Sequence, residues 1–247
     1  MLLAEGISKS FGNERVLNST SISVGPRELV GLIGASGSGK SVLARCLVGL
    51  ETWDEGRLTV EGHQIEGIHP VEDSKWINVR RVIGIVFQQR GLPPYRTAWD
   101  QIAEGPKHVL RLSPEAIRAL ADPWVSKFGL SAHLEKYPSE LSGGQLARVC
   151  LARALVMQPR YLVCDELTAP LDPIIAAEVA ISLLEIVNAG VGLLLISHQL
   201  EFLRRYATRV DFLDGGSIVA SGSPDEMLVR PVHRQLLAFV SAAELGR

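Results

Sequence analysis

The sequence predicts an α/β fold in which helices pack on a β-sheet, and three observations support this prediction. Short apolar segments alternate along the chain with segments of helical spacing. The apolar segments are continuous, which is typical of strands buried on both faces of a sheet. A Gly-rich turn follows the first of them. Core strands are predicted over residues 29–33, 82–87, 161–164 and 193–196.

The segments between these strands predict the remaining elements. Helices are expected over residues 41–50 and 146–156. The first thirty residues and residues 57–61 have shorter, alternating patterns, which indicate a small antiparallel sheet beside the main one. Residues 91–137 differ, because prolines separate segments of helical spacing such as 115–120. We interpret this stretch as a helical insertion between the second and third core strands.

Length and composition exclude several classes of protein. A chain of 247 residues can form one large domain or two closely packed subdomains. The net charge of −2 gives no electrostatic reason to expect nucleic-acid binding. No apolar segment approaches the roughly 18 residues of a membrane span, and the N-terminus lacks the pattern of a signal peptide. We therefore expect a cytoplasmic chain with reduced cysteines, held at a membrane only through partners.

Residues 34–41, Gly-Ala-Ser-Gly-Ser-Gly-Lys-Ser, fit the pattern G-x-x-x-x-G-K-[ST] of a phosphate-binding loop. Glycines bring backbone N–H groups close to phosphate oxygens, and the following helix adds the positive end of its dipole. In this pattern Lys40 contacts the β- and γ-phosphates and the Ser41 hydroxyl binds Mg²⁺. The alternative is a plain Gly-rich turn, but a predicted strand before the loop and a helix after it favour the phosphate loop.

Asp165 and Glu166 end the predicted strand that begins at Tyr161. The first carboxylate can hold Mg²⁺, directly or through water, and the second is placed to act as a general base on a water molecule. The alternative is a pair of acidic residues that caps the next helix. The phosphate loop upstream favours the catalytic interpretation.

Residues 141–145, Leu-Ser-Gly-Gly-Gln, are the most informative segment and are called the signature segment below. Ser142 and the two glycines at the start of a helix form an anion-binding site by the same physics as the phosphate loop. The alternative is a helix that simply starts with a serine cap.

The phosphate loop, the signature segment and the paired carboxylates, in this order, resemble the ATP-binding cassette (ABC) ATPases. Further matches are Gln88 after the second core strand, His198 after a later strand, Asp172 at the end of the family's D-loop, and Phe11 at the position of an aromatic that stacks on adenine. The resemblance implies catalytic roles for Glu166, His198 and Gln88. It implies that Ser41, Gln88 and Asp165 bind Mg²⁺. It implies that ATP contacts the following residues: Phe11, Gly34, Ala35, Ser36, Gly37, Ser38, Gly39, Lys40, Ser41, Val42, Ser142, Gly143, Gly144, Gln145 and Asp172.

Alternatives remain open for the weaker matches. Gln88 is also consistent with an ordinary amide at a strand end, and Gln89 offers another register. His198 alone would be interpreted as a surface histidine, and Phe11 is also consistent with core packing. The other histidines are assigned no role: His63, His69, His108, His133 and His233. Three departures from the family pattern, Val42, Leu167 and Pro170, remove no charged or metal-binding group, although Pro170 bears on the D-loop backbone.

The resemblance also implies a division of the chain. Residues 1–247 form a single ABC ATPase domain, with a nucleotide-binding core over about 1–89 and 157–222. A helical subdomain that carries the signature segment spans about 90–156, and a short tail spans 223–247. The expected fold class is therefore an α/β P-loop NTPase core sheet, with a small antiparallel β subdomain and an inserted helical subdomain.

The chain has one phosphate loop and one signature segment, and in the family that it resembles the signature segment of one subunit contacts the ATP bound to the other. The resemblance therefore implies two chains that enclose ATP between them, the second being the same protein or a paralogue. Separate membrane permease subunits and an extracytoplasmic solute-binding protein are the other implied partners, and nucleic acid is not. The chain would then lie on the cytoplasmic face of the cell membrane. The implied function is ATP-driven import of a peptide, opine, nickel chelate or amino acid. The segments 94–106, 137–145, 222–226 and 231–237 resemble the bacterial peptide/opine/nickel importer subfamily most, whereas residues 45–51 suit polar amino-acid importers equally well. An exporter ATPase and a soluble ABC ATPase of cofactor assembly are the alternatives.

Overall fold

The computed structural model describes residues 1–67, 75–87, 91–167 and 171–245, in which two β-sheets and the helices between their strands are seen. The strands are β1 Leu2–Phe11, β2 Glu14–Val24, β3 Leu29–Ile33, β4 Glu55–Val60, β5 His63–Glu66, β6 Ile83–Val86, β7 Tyr161–Asp165, β8 Gly192–Ile196, β9 Arg209–Asp214 and β10 Ser217–Gly222. The helices are α1 Lys40–Leu47, α2 Lys75–Val82, α3 Ala98–His108, α4 Pro114–Lys127, α5 Gly143–Leu155, α6 Pro173–Asn188, α7 Leu200–Tyr206, α8 Pro224–Leu228 and α9 Arg234–Leu245.

The larger sheet has the strand order β10-β9-β3-β8-β7-β6. Its neighbours pair in parallel except for the edge strand β10, which runs antiparallel to β9. The smaller sheet has the order β2-β1-β4-β5 and is antiparallel throughout. Both sheets agree with the predicted fold class.

The central strands are buried on both faces, as their continuous apolar sequences indicate. Along β8, Leu193 and Leu195 face a core that also contains buried residues of α3 to α6. Leu194 and Ile196 face a second core, which contains residues of the antiparallel sheet and of α1 and α2. The larger sheet therefore separates two hydrophobic layers. The carboxyl ends of its parallel strands form one edge of the sheet, called the carboxyl edge below, which lies between these layers.

The helical insertion between β6 and β7 is confirmed, although its prolines do not all separate helices. Pro106 lies inside α3 and Pro123 inside α4. Pro114 instead occupies the first turn of α4, where a missing N–H costs little, and Ser113 caps that helix. No helix within the described ranges is long and apolar enough to cross a membrane.

Several predicted boundaries were wrong by one to three residues. Val82 is the last residue of α2 and not part of the strand. α1 starts at Lys40 and ends at Leu47, before the positive φ of 67° at Gly49. α5 starts at Gly143, because the Ser142 cap begins the helix ahead of its apolar residues. The predicted limits of the core, the helical subdomain and the tail stay predictions, and Gln88, Gln89 and residues 169–170 lie outside the described residues.

α7 provides a test of how tightly the larger sheet is packed. Leu203 on α7 is fully buried, and a Cβ on Gly31 of β3 would lie 2.8 Å from its Cδ2. We expect Leu203→Ala to lower the free energy of unfolding by about 2–5 kcal/mol, because it leaves a cavity on the central strand. The matched control is Leu237→Ala on α9, where the side chain is 50% exposed. Chemical denaturation measures both, and equal losses would contradict the packing described here.

Candidate functional site

The phosphate loop connects the end of β3 to the start of α1, and its glycines are required by the backbone. Gly39 has φ 105°, and a Cβ there would lie 2.9 Å from the carbonyl oxygen of Val16 on β2. A Cβ on Gly34 would lie 2.2 Å from the carbonyl oxygen of Leu213. Neither position could hold a side chain in this conformation. No side chain caps α1, so its first N–H groups are available to an anion.

Lys40 folds back over this loop and is only 6% exposed. Its Nζ donates hydrogen bonds of 2.8 Å to the carbonyl oxygens of both Gly34 and Ala35. Burial lowers the pKa of Lys40, while the charges of Glu166 and Asp165 act in the opposite direction. The ammonium group is therefore held at the centre of the loop, poorly hydrated and close to two carboxylates.

Asp165 is the last residue of β7 and is 6% exposed. Burial raises the pKa of its carboxyl group, and a hydrogen bond from Ser41 acts against this effect. Within the described part of the chain, its Oδ1 is buried and has no hydrogen-bond partner. A buried carboxylate oxygen with free lone pairs, beside the Ser41 hydroxyl, is the donor set that a divalent cation would complete.

Glu166 turns the chain away from the sheet in a left-handed conformation, with φ 49°. Its N–H donates to the carbonyl oxygen of Ile196 at 3.0 Å, which holds this turn to the end of β8. Its Oε1 lies 2.9 Å from Nε2 of His198. Left-handed backbone conformations are unfavourable for residues other than glycine, and they often occur at functional sites.

Five residues from three separate segments are thus linked at one edge of the sheet: Lys40, Ser41, Asp165, Glu166 and His198. A hydrogen bond joins Ser41 to Asp165, Glu166 contacts His198, and Lys40 interacts electrostatically with both carboxylates. His198 is 46% exposed but contacts Glu166, so the geometry favours a site residue over an isolated surface histidine.

Phe11 ends β1 and is 45% exposed, so the alternative of a core residue was wrong. Nζ of Lys9 lies 4.8 Å from the centre of its ring. An exposed aromatic face at the tip of the β1–β2 hairpin is suited to stacking on a planar base. The hairpin reaches the phosphate loop, because Val16 of β2 contacts the loop at Gly39.

The signature segment forms the start of α5. Ser142 is the helix cap: its Oγ accepts a hydrogen bond from the N–H of Gln145 at 3.3 Å, and Oε1 of Gln145 accepts from the N–H of Ser142 at 2.9 Å. The serine-cap alternative is therefore correct as local structure, and it does not exclude a phosphate contact. A Cβ on Gly144 would lie 2.5 Å from Cγ2 of Ile175, so α5 and α6 touch closely at this glycine.

Other assigned residues lie apart from the linked group. Asp172 caps α6, with Oδ1 accepting hydrogen bonds from the N–H groups of Ile174 and Ile175, both at 3.1 Å. Among the described residues, no hydrogen bond or ion pair joins the signature segment to the phosphate loop of the same chain. Roles for Asp172 and the signature segment in ATP binding therefore stay predictions that depend on a second chain.

Two cations near the site were not identified from the sequence. Lys9 stacks on Phe11 and pairs with Glu51 at 2.9 Å. Arg45 lowers the pKa of Asp165, though less than the Ser41 hydrogen bond does. Arg45 lies four residues after Ser41 and therefore on the same side of α1, which is the one signal that the sequence offered.

Comparison with known proteins agrees with this geometry. The family described as "ABC transporter" matches residues 17–169. The chain is 35% identical to the L-cystine import ATP-binding protein TcyC of Bacillus subtilis, with 98% of each chain covered. It is 36% identical to the glutamine transport ATP-binding protein GlnQ of Escherichia coli, covering 97% of this chain and 98% of the relative. It is 35% identical to the nopaline permease ATP-binding protein P of Agrobacterium fabrum, covering 98% and 96%.

A solved structure, described as the ATP-binding subunit of an ABC transporter, superimposes with a TM-score of 0.79. It is 22% identical and covers 100% of this chain and 98% of its own length, which supports the same fold. The sequence relatives extend over both sheets, the helical insertion and the tail. On these grounds the chain belongs to the ABC transporter family and is an ATP-binding subunit with ATPase activity coupled to transport.

Proposed function

We propose that this chain powers the import of an amino acid or an amino-acid derivative through separate permease subunits. The observation that carries this proposal is the similarity over almost the whole chain to ATP-binding proteins of cystine, arginine, glutamine and nopaline systems. Of the cargo classes predicted from the sequence, the amino-acid and opine classes gain support from these relatives. Peptides and nickel chelates gain none from them.

The donor set at the carboxyl edge supports a magnesium site in the ATP-bound state. Ser41 and Asp165 would hold the ion, and the buried, unpartnered Oδ1 of Asp165 fits this role. Gln88 is proposed as a further ligand and lies outside the described residues. Bound Mg²⁺ supplies charge neutralisation and orientation at the phosphate groups.

The linked residues support hydrolysis by an activated water molecule. Glu166, whose side chain is 21% exposed, would take a proton from water, and His198 would orient that carboxylate through their 2.9 Å contact. Lys40 would exchange its two carbonyl partners for phosphate oxygens. Phe11 would stack on the adenine.

The separation of the signature segment from the phosphate loop supports a two-chain site. In each half, the signature segment and Asp172 of one chain would complete the site of the other. A closed state that depends on ATP would need about 5.5 kcal/mol of differential binding to change from 1:99 to 99:1. Charge-assisted contacts between two signature segments and two γ-phosphates are a reasonable source of that energy.

The proposed partners follow from this role. The second ATPase subunit is either the same chain or a paralogue. Permease subunits hold the chain on the cytoplasmic face of the membrane, and an extracytoplasmic solute-binding protein delivers the cargo to them. The names of the relatives, which include import proteins and a permease component, support this arrangement.

We expect Lys40→Ala to weaken the binding of MgATP at least tenfold, because a hydrogen bond to a charged group is worth about 1.5–3 kcal/mol. Isothermal titration calorimetry measures this affinity. The control is Lys127→Ala, which removes an ammonium group that is 43% exposed and pairs with Glu185 on the surface. Unchanged affinity in Lys40→Ala would exclude its contact with the phosphates.

We expect Glu166→Gln to lower kcat for ATP hydrolysis by about 10²–10⁴-fold, because an amide cannot accept the proton of water. The amide preserves the shape of the side chain, so ATP binding should persist and ATP-bound dimers should accumulate. Phosphate release and light scattering measure the two effects. Glu178→Gln, at a side chain 55% exposed on α6, is the control. Near-normal turnover in Glu166→Gln would assign the base to another residue.

The transport proposal is tested with tagged Glu166→Gln chain, gently solubilised from membranes of its natural host with ATP and Mg²⁺ present. Mass spectrometry then identifies the proteins that co-purify. We expect multi-spanning permeases, and we expect ATP hydrolysis of the wild-type complex to rise when a liganded solute-binding protein is added. Recovery of soluble partners alone would contradict transport and favour cofactor assembly. Recovery of permeases in a complex whose ATP hydrolysis does not rise when a solute-binding protein is added would favour export.

A further inference from the structure

The signature segment has a neighbour to which the sequence assigned no role. His133 ends a 3-10 turn, Ser131–His133, between α4 and α5, and its Nε2 lies 3.1 Å from Nε2 of Gln145. We propose that His133 is a positioning residue. Its Nε2 accepts a hydrogen bond from the Gln145 amide and so keeps the signature segment in the conformation that binds phosphate. This inference deepens the proposed function and rests on it.

The capping box determines which way the Gln145 amide points. The N–H of Ser142 is a donor, so the Gln145 atom 2.9 Å from it must be the carbonyl oxygen, Oε1. The amide nitrogen therefore faces His133. Because an NH₂ group can only donate, Nε2 of His133 must carry a lone pair, and the imidazole is neutral with its hydrogen on Nδ1.

The other ring nitrogen shows that His133 is not simply a well-satisfied structural residue. Its Nδ1 is buried and has no hydrogen-bond partner among the described residues. The tautomer set by Gln145 thus leaves a buried N–H unpaired, which is unfavourable for stability. Of the two ring nitrogens, it is Nε2 that has a hydrogen-bond partner, the Gln145 amide.

The backbone holds this acceptor in a fixed place. The N–H of His133 donates to the carbonyl oxygen of Leu130 at 2.8 Å, and its own carbonyl oxygen accepts from the N–H of Lys136 at 3.1 Å. The following segment is fastened to α3, since Leu134 and Lys136 accept hydrogen bonds from the first N–H groups of that helix, both at 2.8 Å. His133 can therefore serve as a rigid reference for the Gln145 side chain.

The contact reaches the phosphate-binding group through one further hydrogen bond. Oγ of Ser142 accepts from the N–H of Gln145, so the hydroxyl hydrogen of Ser142 is left to donate outward. Without the acceptor at His133, the Gln145 amide is free to rotate and present its NH₂ group to the N–H of Ser142. That would open the capping box and misplace the Ser142 hydroxyl. The defect would affect the step in which two chains close on ATP, and not the binding of ATP to the phosphate loop of one chain.

The test compares three substitutions in the full-length chain. His133→Gln places an amide oxygen at the position of Nε2, His133→Asn keeps an amide but places its oxygen nearer the position of Nδ1, and His133→Leu removes the acceptor. We expect kcat for MgATP hydrolysis to fall about 3- to 10-fold in the Asn and Leu variants, the range of one net hydrogen bond, and to stay above about half in the Gln variant. The affinity of the monomer for a fluorescent ATP analogue should be unchanged in all three.

A second comparison asks whether His133 acts through Gln145. In a Gln145→Leu background, adding His133→Leu should lower kcat no further, and a full additional loss would overturn the proposal. Equal kcat in all three single variants would overturn it, as would a His133→Gln variant as impaired as His133→Leu, or a parallel loss of nucleotide affinity. Wild-type chain without MgATP hydrolysis would overturn the proposed function as well, whereas an active wild type that is indifferent to residue 133 would overturn this inference alone.

Discussion

The site depends on the parallel register of three neighbouring strands. Ile196 of β8 pairs with Leu32 of β3 on one side and with Asp165 of β7 on the other. The phosphate loop, the two carboxylates and His198 therefore leave the sheet at the same level, as the carboxyl ends of parallel strands require. A slip of one residue between β7 and β8 would turn the side chain of Asp165 to the opposite face and separate it from Ser41.

Two opposite charges are held at this edge against the preference of a buried environment. Burial lowers the pKa of Lys40 and raises that of Asp165, so each side chain is less readily charged than in water. The surrounding fold maintains this unfavourable arrangement through the apolar residues on both faces of β3, β7 and β8. An anion beside Lys40 and a cation beside Asp165 would relieve it, so this pair of side chains is suited to a ligand that carries both charges.

The sequence predicted the parts of this structure that are set by local pattern. The strands β3, β7 and β8 have uninterrupted apolar sequences, and their bounds were predicted to within one residue at each end. β9 was not predicted, because Arg209 and Asp211 interrupt its apolar pattern. These charges are stabilised by contacts formed in the folded chain, in which Arg209 lies 2.8 Å from Glu28 and 3.0 Å from Asp211. Local chemistry likewise identified the residues of the phosphate loop, since the required glycines and lysine lie next to each other.

Tertiary contacts could not be predicted from such local patterns. The exposure of Phe11 depends on how the β1–β2 hairpin sits beside the phosphate loop, and nothing in its neighbours along the chain encodes this. The contact between His133 and Gln145 joins a 3-10 turn to a helix cap, with α4 and α5 placed by packing that involves several other helices. Residues far apart in sequence meet only through the assembled core, so their pairing has no short-range signal.

The close approach of α5 and α6 at Gly144 has a mechanical consequence. Flexible side chains normally lie between packed helices and absorb small displacements, but here the backbone of one helix rests on Ile175 of the other with no room for a methyl group. The two helix starts, one capped by Ser142 and the other by Asp172, therefore have no deformable side chain between them at this point. A displacement of one cap towards the other helix would be transmitted directly, because residue 144 has no side chain that could absorb it.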